Sequence, residues 1–319
     1  MNGCDAMQAR FTEYMDSQLT GREMQRVAAH LEDCRECARE WASLREAQAS
    51  LAALGPLFAG ADRIVFNGDT LETRASPISS QTDELRREFL EFARHEVPRC
   101  TLVTGNHDAD VSETHSLDLL GGLVLVTHGE VLFDELVPWS RELPQIRRLF
   151  REELAALAPA QRDDPAERLA ACKRACAKLR LPHNPHPRGL WQRVLLTARI
   201  FWPPQCTLAM IRAWHELPGR AATFASQYRP GSRFVVVGHT HRPGVWKRSG
   251  SVVINTGSFR PPFGCYAVDV SPEWVVVRQV RHNRGRFSFG RVVASFALAP
   301  TDERPGAVSA ILPKLAPTP

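Results

Sequence analysis

The sequence predicts a layered α/β domain behind a small all-α unit, and three observations lead there. Short apolar runs rich in Val and Ile recur at residues 64–66, 102–103, 123–126 and 234–237, and such runs read as strands buried on both faces. Each is followed within a residue or two by side chains with metal affinity: Asn67-Gly68-Asp69, Gly105-Asn106-His107-Asp108, His128-Gly129-Glu130 and Gly238-His239-Thr240-His241. Helical periodicity replaces the strand signal in the first fifty residues and again over about residues 138–230, the latter read as a helical cap insertion. Open sheets place ligands beyond the carboxyl ends of their strands, so the four polar clusters are expected to meet at one end of a sheet.

At 319 residues, 44% hydrophobic and 24% charged, the chain can hold a full core and a small extra domain. No apolar run approaches the ~20 residues that cross a bilayer, and the start, Met1-Asn2-Gly3-Cys4-Asp5, is polar rather than secretory. The expectation is no membrane span and a cytoplasmic address. Eight cysteines in such a chain do not suggest a disulfide framework; Cys100, Cys172, Cys176, Cys206 and Cys265 read as small core residues. Net charge is +5, but residues 141–199 hold thirteen Lys and Arg against six Asp and Glu. That excess is either a solvated helical face or a cationic lid that attracts anionic substrate. Nucleic acid is not expected, because no stripe of interleaved aromatics accompanies the charge.

Residues 1–50 read as a separate helical unit. Phe11, Tyr14, Met15 and Leu19 recur at helical spacing, and Thr20-Gly21-Arg22-Glu23 has the form of a capping box opening a helix over about residues 21–32. A third helix, from about residue 35 into the region of residue 51, carries Trp41 and Leu44. Between the last two lies His30-x3-Cys34-x2-Cys37, with Cys4 twenty-six residues ahead of His30. Two thiolates across a tight turn and an imidazole one helical turn earlier can converge on one ion, and Cys4 would complete the Cys3His set preferred by structural zinc. A unit this small gains folding free energy from such a metal. The alternative is a set of buried residues in a helical hairpin. The segment resembles the zinc-binding anti-sigma domain, in which the same Cys, His, Cys, Cys order occurs. That resemblance implies a sigma factor as partner and, in some members, zinc loss on thiol oxidation.

The order GD, GNHD, H, GHTH over about residues 57–282 resembles the calcineurin-like metallophosphoesterase family. The resemblance implies metal-dependent hydrolysis of a phosphate ester or pyrophosphate. It makes Asp69 the carboxylate shared by two metals, with Asn106, His128 and His239 completing one and His241 belonging to the other. His107 would protonate the leaving oxygen or stabilise phosphoryl charge, with Asp108 orienting its ring. Carboxylate, amide and imidazole donors suit Mn, Fe or Zn. The family opens with a strand ending in Asp-x-His, which supplies the rest of the second metal position, and no Asp in this chain is followed two positions later by His. One firm cation, one weak one and slow turnover are therefore expected. The competing expectation is a zinc-dependent regulator whose phosphoesterase-like half binds nucleotide or phosphate without turning it over.

Other stretches carry less. Glu72 reads as holding its loop, residues 82–95 as an amphipathic helix with Leu85, Phe89 and Phe92 on one face, and His95 as a surface residue; His115 is given no role. His183 and His186, in a Pro-rich loop, read as a hinge or surface loop rather than a third metal site. After a strand at residues 252–254, Asn255-Thr256-Gly257-Ser258 is expected to shape the turn beside the metals. Two more strands are expected at about residues 265–270 and 274–280, and Arg278, Arg281, Arg284 and Arg286 would form a basic strand edge that discourages pairing. The domain boundaries expected are 1–50 and 51–298, with a disordered Pro- and Ala-rich tail at 299–319.

Overall fold

The Val-rich runs form strands in two sheets that pack face to face. In the computed structural model, which describes residues 3–8, 10, 14, 19–35, 37–38, 41, 53–71, 75–76, 87, 89–91, 99–179, 181–182, 203–259, 264–283, 286–298 and 309–312, one sheet contains β1 (Arg63–Asn67), β3 (Thr101–Val103), β10 (Cys265–Val270), β11 (Trp274–Asn283), β12 (Arg286–Ala297) and β13 (Ser309–Leu312). Its order is β12-β11-β10-β13-β1-β3. The second contains β4 (Ser116–Leu119), β5 (Val124–Thr127), β7 (Phe234–Val237), β8 (Gly244–Arg248) and β9 (Ser251–Asn255), in the order β4-β5-β7-β9-β8. Two short strands, β2 (Ala75–Ser76) and β6 (Leu181–Pro182), pair apart from both.

Alternation along each strand explains the unbroken apolar runs. Val65, Val103, Val268 and Val277 meet Val124, Val126, Phe234, Val236 and Ile254 between the sheets. Their neighbours Ile64, Phe66, Leu102 and Ala267 point the other way, onto Leu54, Leu57, Phe58 and Phe89. Leu125, Val235, Val237 and Val253 point outward from the second sheet into the helical segment. A strand covered on both faces has no polar positions to alternate with. Each fully buried Leu, Ile or Phe contributes about 1.5–3 kcal/mol.

The helical segment comprises α3 (Leu143–Ala155), α4 (Pro165–Lys178) and α5 (Pro204–Tyr228). Asp164 caps α4 by accepting the Ala166 N–H at 2.7 Å, with Pro165 in the first turn. Leu149, Leu169, Cys172, Ala213, Leu217 and Ala221 share one core with Leu125, Val235 and Val253. The segment therefore roofs the outer face of the five-stranded sheet as part of the main core. Near the chain start, α1 (Gly3–Gln8) and α2 (Gly21–Asp33) have a small core of their own, with Val27 and Cys37 packed by Tyr14, Leu19, Leu31 and Trp41. The Glu23 carboxylate accepts both the backbone N–H and the hydroxyl of Thr20, as the capping sequence expects.

Several expectations need correcting. Within the tail expected to be disordered, Ser309–Leu312 is an interior strand, parallel to β1 and antiparallel to β10. Its four residues contain no Pro, although Pro305 and Pro313 flank them, so the segment can offer ladder hydrogen bonds on both sides. The strands β4, β8 and β12 are half-exposed and carry no continuous apolar run. Arg278 is not on a free edge: β11 is paired on both sides, and Arg278 Nε donates to Asp269 Oδ2 at 2.5 Å. Of the cysteines expected in the core, Cys172, Cys176 and Cys265 are buried and Cys100 and Cys206 are half-buried. The readings made for Phe11, Met15, Leu44, Glu72, Leu85, Phe92, His95, His183, His186 and Arg284 lie outside the described residues. No helix among the described residues is long and apolar enough to cross a membrane.

Removing residues 299–319 should leave β1 and β10 with open interior edges. The expected result is a fall in Tm of about 5 °C or more, equivalent to about 2 kcal/mol, read by differential scanning calorimetry. An unchanged Tm would show that β13 does not hold the sheet together.

Candidate metal centres

Four strands deliver the expected donors, two from each sheet. Asp69 follows β1 and Asn106 follows β3; His128 follows β5 and His239 follows β7. The strands β1 and β3 are parallel, as are β5, β7 and β9, so all four loops leave their sheets at the same kind of end. The donors then pair across the sheets. Asp69 Oδ2 lies 3.2 Å from His128 Nε2, and Asn106 Oδ1 lies 2.9 Å from His239 Nδ1. The His128 and His239 rings stand 5.3 Å apart between centroids.

The orientation of these groups favours a cation. His128 Nδ1 faces the Asn67 carbonyl at 2.9 Å, and His239 Nε2 faces the Leu136 carbonyl at 2.8 Å. A carbonyl can only accept, so each of these nitrogens carries a ring proton, and in the neutral ring the other nitrogen is the one open to a cation. Burial opposes charge on His128, but the Asp69 carboxylate facing its Nε2 outweighs burial and raises its pKa; His239 Nδ1 faces the Asn106 amide oxygen. Carboxylate, amide and imidazole donors gathered in a buried place suit an ion held between them. All four residues are almost wholly buried.

Backbone conformation supports the same reading. Asp69, His239 and His241 have φ of 52°, 60° and 59°, a left-handed conformation costing on the order of 1–3 kcal/mol per non-Gly residue and concentrated at functional sites. Gly105 is required by close approach, since a Cβ there would stand 2.2 Å from the Asp69 nitrogen. The turn from Gly238 to His241 is pinned from outside. Asn255 Nδ2 donates to the Gly238 carbonyl and to Thr240 Oγ1, both at 2.8 Å, and Trp214 Nε1 of α5 donates to the Thr240 carbonyl at 2.8 Å.

The Asp108 carboxylate gathers backbone amides. Its two oxygens accept backbone N–H groups from Asp69 (2.9 Å), Thr70 (2.6 Å), Leu71 (3.1 Å) and Gly105 (2.7 Å). It thereby ties the Asp69 loop to the Asn106 loop. Burial and the neighbouring Asp69 charge push the Asp108 carboxyl above the usual range, and the amides pull it back. The half-buried His107 donates its backbone N–H to Asp69 Oδ1 at 2.7 Å, so the motif's main chain orients the carboxylate that the metal would use. His241 is half-buried on the same turn as His239.

Sequence reasoning missed a buried ion pair beside this site. Lys173 of α4 and Glu130, two residues after His128, form a salt bridge with side chains 2% and 0% exposed. Burial alone would raise the Glu130 carboxyl; Lys173, His128 and His239 outweigh it and hold it below the usual range. Within the helix sequence Lys173 sits beside Arg174 and looks like another surface charge. Only the pairing with a strand-end loop marks it.

The second cluster is compact. Cys4, His30, Cys34 and Cys37 have ligand atoms all within 4.8 Å of one another, and among the described residues this is the only such His, Cys, Asp or Glu set. The α2 helix places His30 in its last turn, the Cys34 N–H closes onto the His30 carbonyl at 2.8 Å, and the next turn opens with the Ala38 N–H on the Cys34 carbonyl. Cys4 and Cys34 sulfurs lie 3.8 Å apart, and His30 Nε2 lies 3.2 Å from Cys37 Sγ. Tetrahedral zinc with bonds of about 2.3 Å separates sulfurs by about 3.8 Å. Burial and the two neighbouring thiols push Cys37 up to about 12, a crowding that a divalent cation relieves.

Comparisons with known proteins bear on the two centres unequally. Residues 4–38 match a zinc-finger family. No curated protein matches the chain. Among solved structures, the chain is similar to a conserved uncharacterised protein, a predicted phosphoesterase, from Streptococcus pneumoniae, at 13% identity and a TM-score of 0.32, over 79% of this chain and 91% of that one. It is also similar to Vacuolar Protein Sorting 29 from Cryptosporidium parvum, at 13% identity and a TM-score of 0.30, over 74% of this chain and 97% of that one.

Two outcomes are expected. A high-affinity zinc chelator should lower the helical circular dichroism of the full chain, and one equivalent of zinc should restore it; an unchanged spectrum would mean that the thiol cluster folds without metal. In the metal-free protein, burial foremost and then the nearby His128 hold His239 down at about 4, whereas an unfolded histidine titrates near about 6.5. Between those values the unfolded chain takes up a proton that the folded one refuses. Stability should therefore fall as pH drops from about 6.5 to 4, by on the order of 3 kcal/mol from this residue. Urea melts across that range should fall more steeply in the wild type than in His239→Gln, and equal slopes would contradict the assignment.

Proposed function

We propose that the chain is a metal-dependent phosphoesterase acting on a phosphate ester or pyrophosphate. The observation that carries this reading is the buried cross-sheet pairing of Asp69 with His128 and of Asn106 with His239. A cation bound there, Mn, Fe or Zn by donor type, supplies Lewis-acid polarisation of a phosphoryl oxygen. The chain's own residues do the rest. Asp69 brings negative charge into a buried place, and the His107 N–H fixes the carboxylate's direction. The half-buried His107 imidazole gives a proton to the leaving oxygen. Asp108, held by four amides, keeps the Asp69 and Asn106 loops in register. His241 is the second metal's donor, and the absence of an Asp-x-His strand leaves that position weak, so turnover should need excess Mn.

A second reading is supported by the thiol cluster and its zinc-finger match: a zinc-dependent regulator that engages a sigma factor through residues 1–50, with a phosphoesterase-like half that binds phosphate without hydrolysis. Metal counting by native mass spectrometry beside a p-nitrophenyl phosphate assay in Mn separates the two. The phosphoesterase reading expects one firmly bound zinc, labile metal besides, and turnover. Asp69→Ala should abolish turnover, and His107→Ala should lower it by about 10²-fold or more. One zinc with no turnover favours the regulator.

A further inference from the structure

We propose that Lys173, from the helical segment inserted between the His128 and His239 loops, is a positioning residue that sets the spacing of the cation site by joining the two sheets beneath it. The proposal rests on the phosphoesterase-type reading of that site, and it gives the insertion a task at the site that no ligand motif records.

The geometry is specific. Lys173 Nζ donates to the Thr104 carbonyl at 2.6 Å and forms its salt bridge with Glu130. Thr104 follows β3 and leads directly into Gly105-Asn106; Glu130 lies in the 3-10 turn that follows His128. One ammonium therefore holds the loop of an oxygen donor from one sheet and the loop of a nitrogen donor from the other. Asn106 and His128 belong one to each of the two cross-sheet pairs, so the spacing of these loops is the spacing of the pairs. A side chain that fixes both loops at once fixes that gap.

Burial shows that the arrangement is more than surface ornament. A lysine is almost never buried to the 2% exposure of Lys173 unless it is paired, and removing one partner of a buried pair leaves an uncompensated charge that costs several kcal/mol. Glu130 Oε2 has no hydrogen-bond partner of its own, so its charge is felt both by Lys173 and by the imidazoles of His128 and His239. The ammonium reaches this place only because α4 lies against the five-stranded sheet with Leu169, Cys172 and Cys176 buried on either side of Lys173. The stretch of Thr104 that receives it is further tied, through Oγ1, to His115 Nδ1 at 3.0 Å. His115 thus belongs to the same underpinning.

The test is Mn affinity, measured by isothermal titration on the full-length protein loaded with zinc at its thiol cluster. The variants are Lys173→Met, which leaves Glu130 buried and unpaired, and the double variant Lys173→Met/Glu130→Gln, which replaces the pair with neutral groups of similar shape. The double variant should keep a Tm near that of the wild type, because neutralising both members removes the unpaired charge. It should nevertheless bind Mn about tenfold more weakly or worse, the size of effect seen when groups supporting metal ligands are removed. Retention of wild-type Mn affinity by a folded double variant would overturn the proposal, as would a double variant that fails to fold, since Lys173 would then be structural alone. A wild-type protein that binds no Mn beyond its zinc would instead overturn the reading of the site, and the proposal with it.

Discussion

The architecture depends on two parallel-stranded edges ending side by side. Each sheet contributes two loops, and the loops are useful only because the sheets pack with Val65, Val103, Val126 and Val236 between them. Sheet packing brings Asp69 to His128 and Asn106 to His239. Neither pair could form within one sheet, so the geometry of the site is a property of the sandwich rather than of any motif. The left-handed backbone at Asp69, His239 and His241 is the local cost of turning donors inward at that seam.

Three devices hold the seam. Asp108 gathers four backbone amides from the Asp69 and Asn106 loops. Asn255 and Trp214 fix the His239 turn. Lys173 reaches from the helical segment to Thr104 and Glu130. Each uses a buried, hydrogen-bonded polar group where an unsatisfied one would cost about 1–3 kcal/mol, so the site's rigidity and the core's polar satisfaction are the same set of contacts. The thiol cluster near the chain start solves a different problem. Among the described residues its core is Val27 and Cys37 with flanking side chains such as Tyr14 and Trp41, and four converging ligands add to that apolar burial.

Much of this was legible in the sequence because it is written in local pattern. Apolar runs with Gly and a donor after them located β1, β3, β5 and β7, and the spacing of His30, Cys34 and Cys37 located the thiol cluster. What was not legible depends on partners distant in the chain. Nothing around Ser309 says that it lies between β1 and β10, because the signal is an open slot made by other strands. Asp108 sits beside His107 in sequence, and nothing local says that its oxygens also gather the amides of residues 69–71. Lys173 reads as one of thirteen basic residues in its stretch, and only burial distinguishes it. The half-exposed strands β4, β8 and β12 carry mixed polarity because one face meets solvent, so they leave no run to recognise.

The central claim is that donors from both sheets share one cation. Anomalous diffraction at the Mn edge, from crystals of the full-length protein grown with Mn, tests it most directly. The account predicts a peak bounded by Asp69 Oδ2, Asn106 Oδ1, His128 Nε2 and His239 Nδ1. A structure with Mn bound elsewhere, or with those four atoms unchanged and the ion absent at saturating Mn, would contradict it.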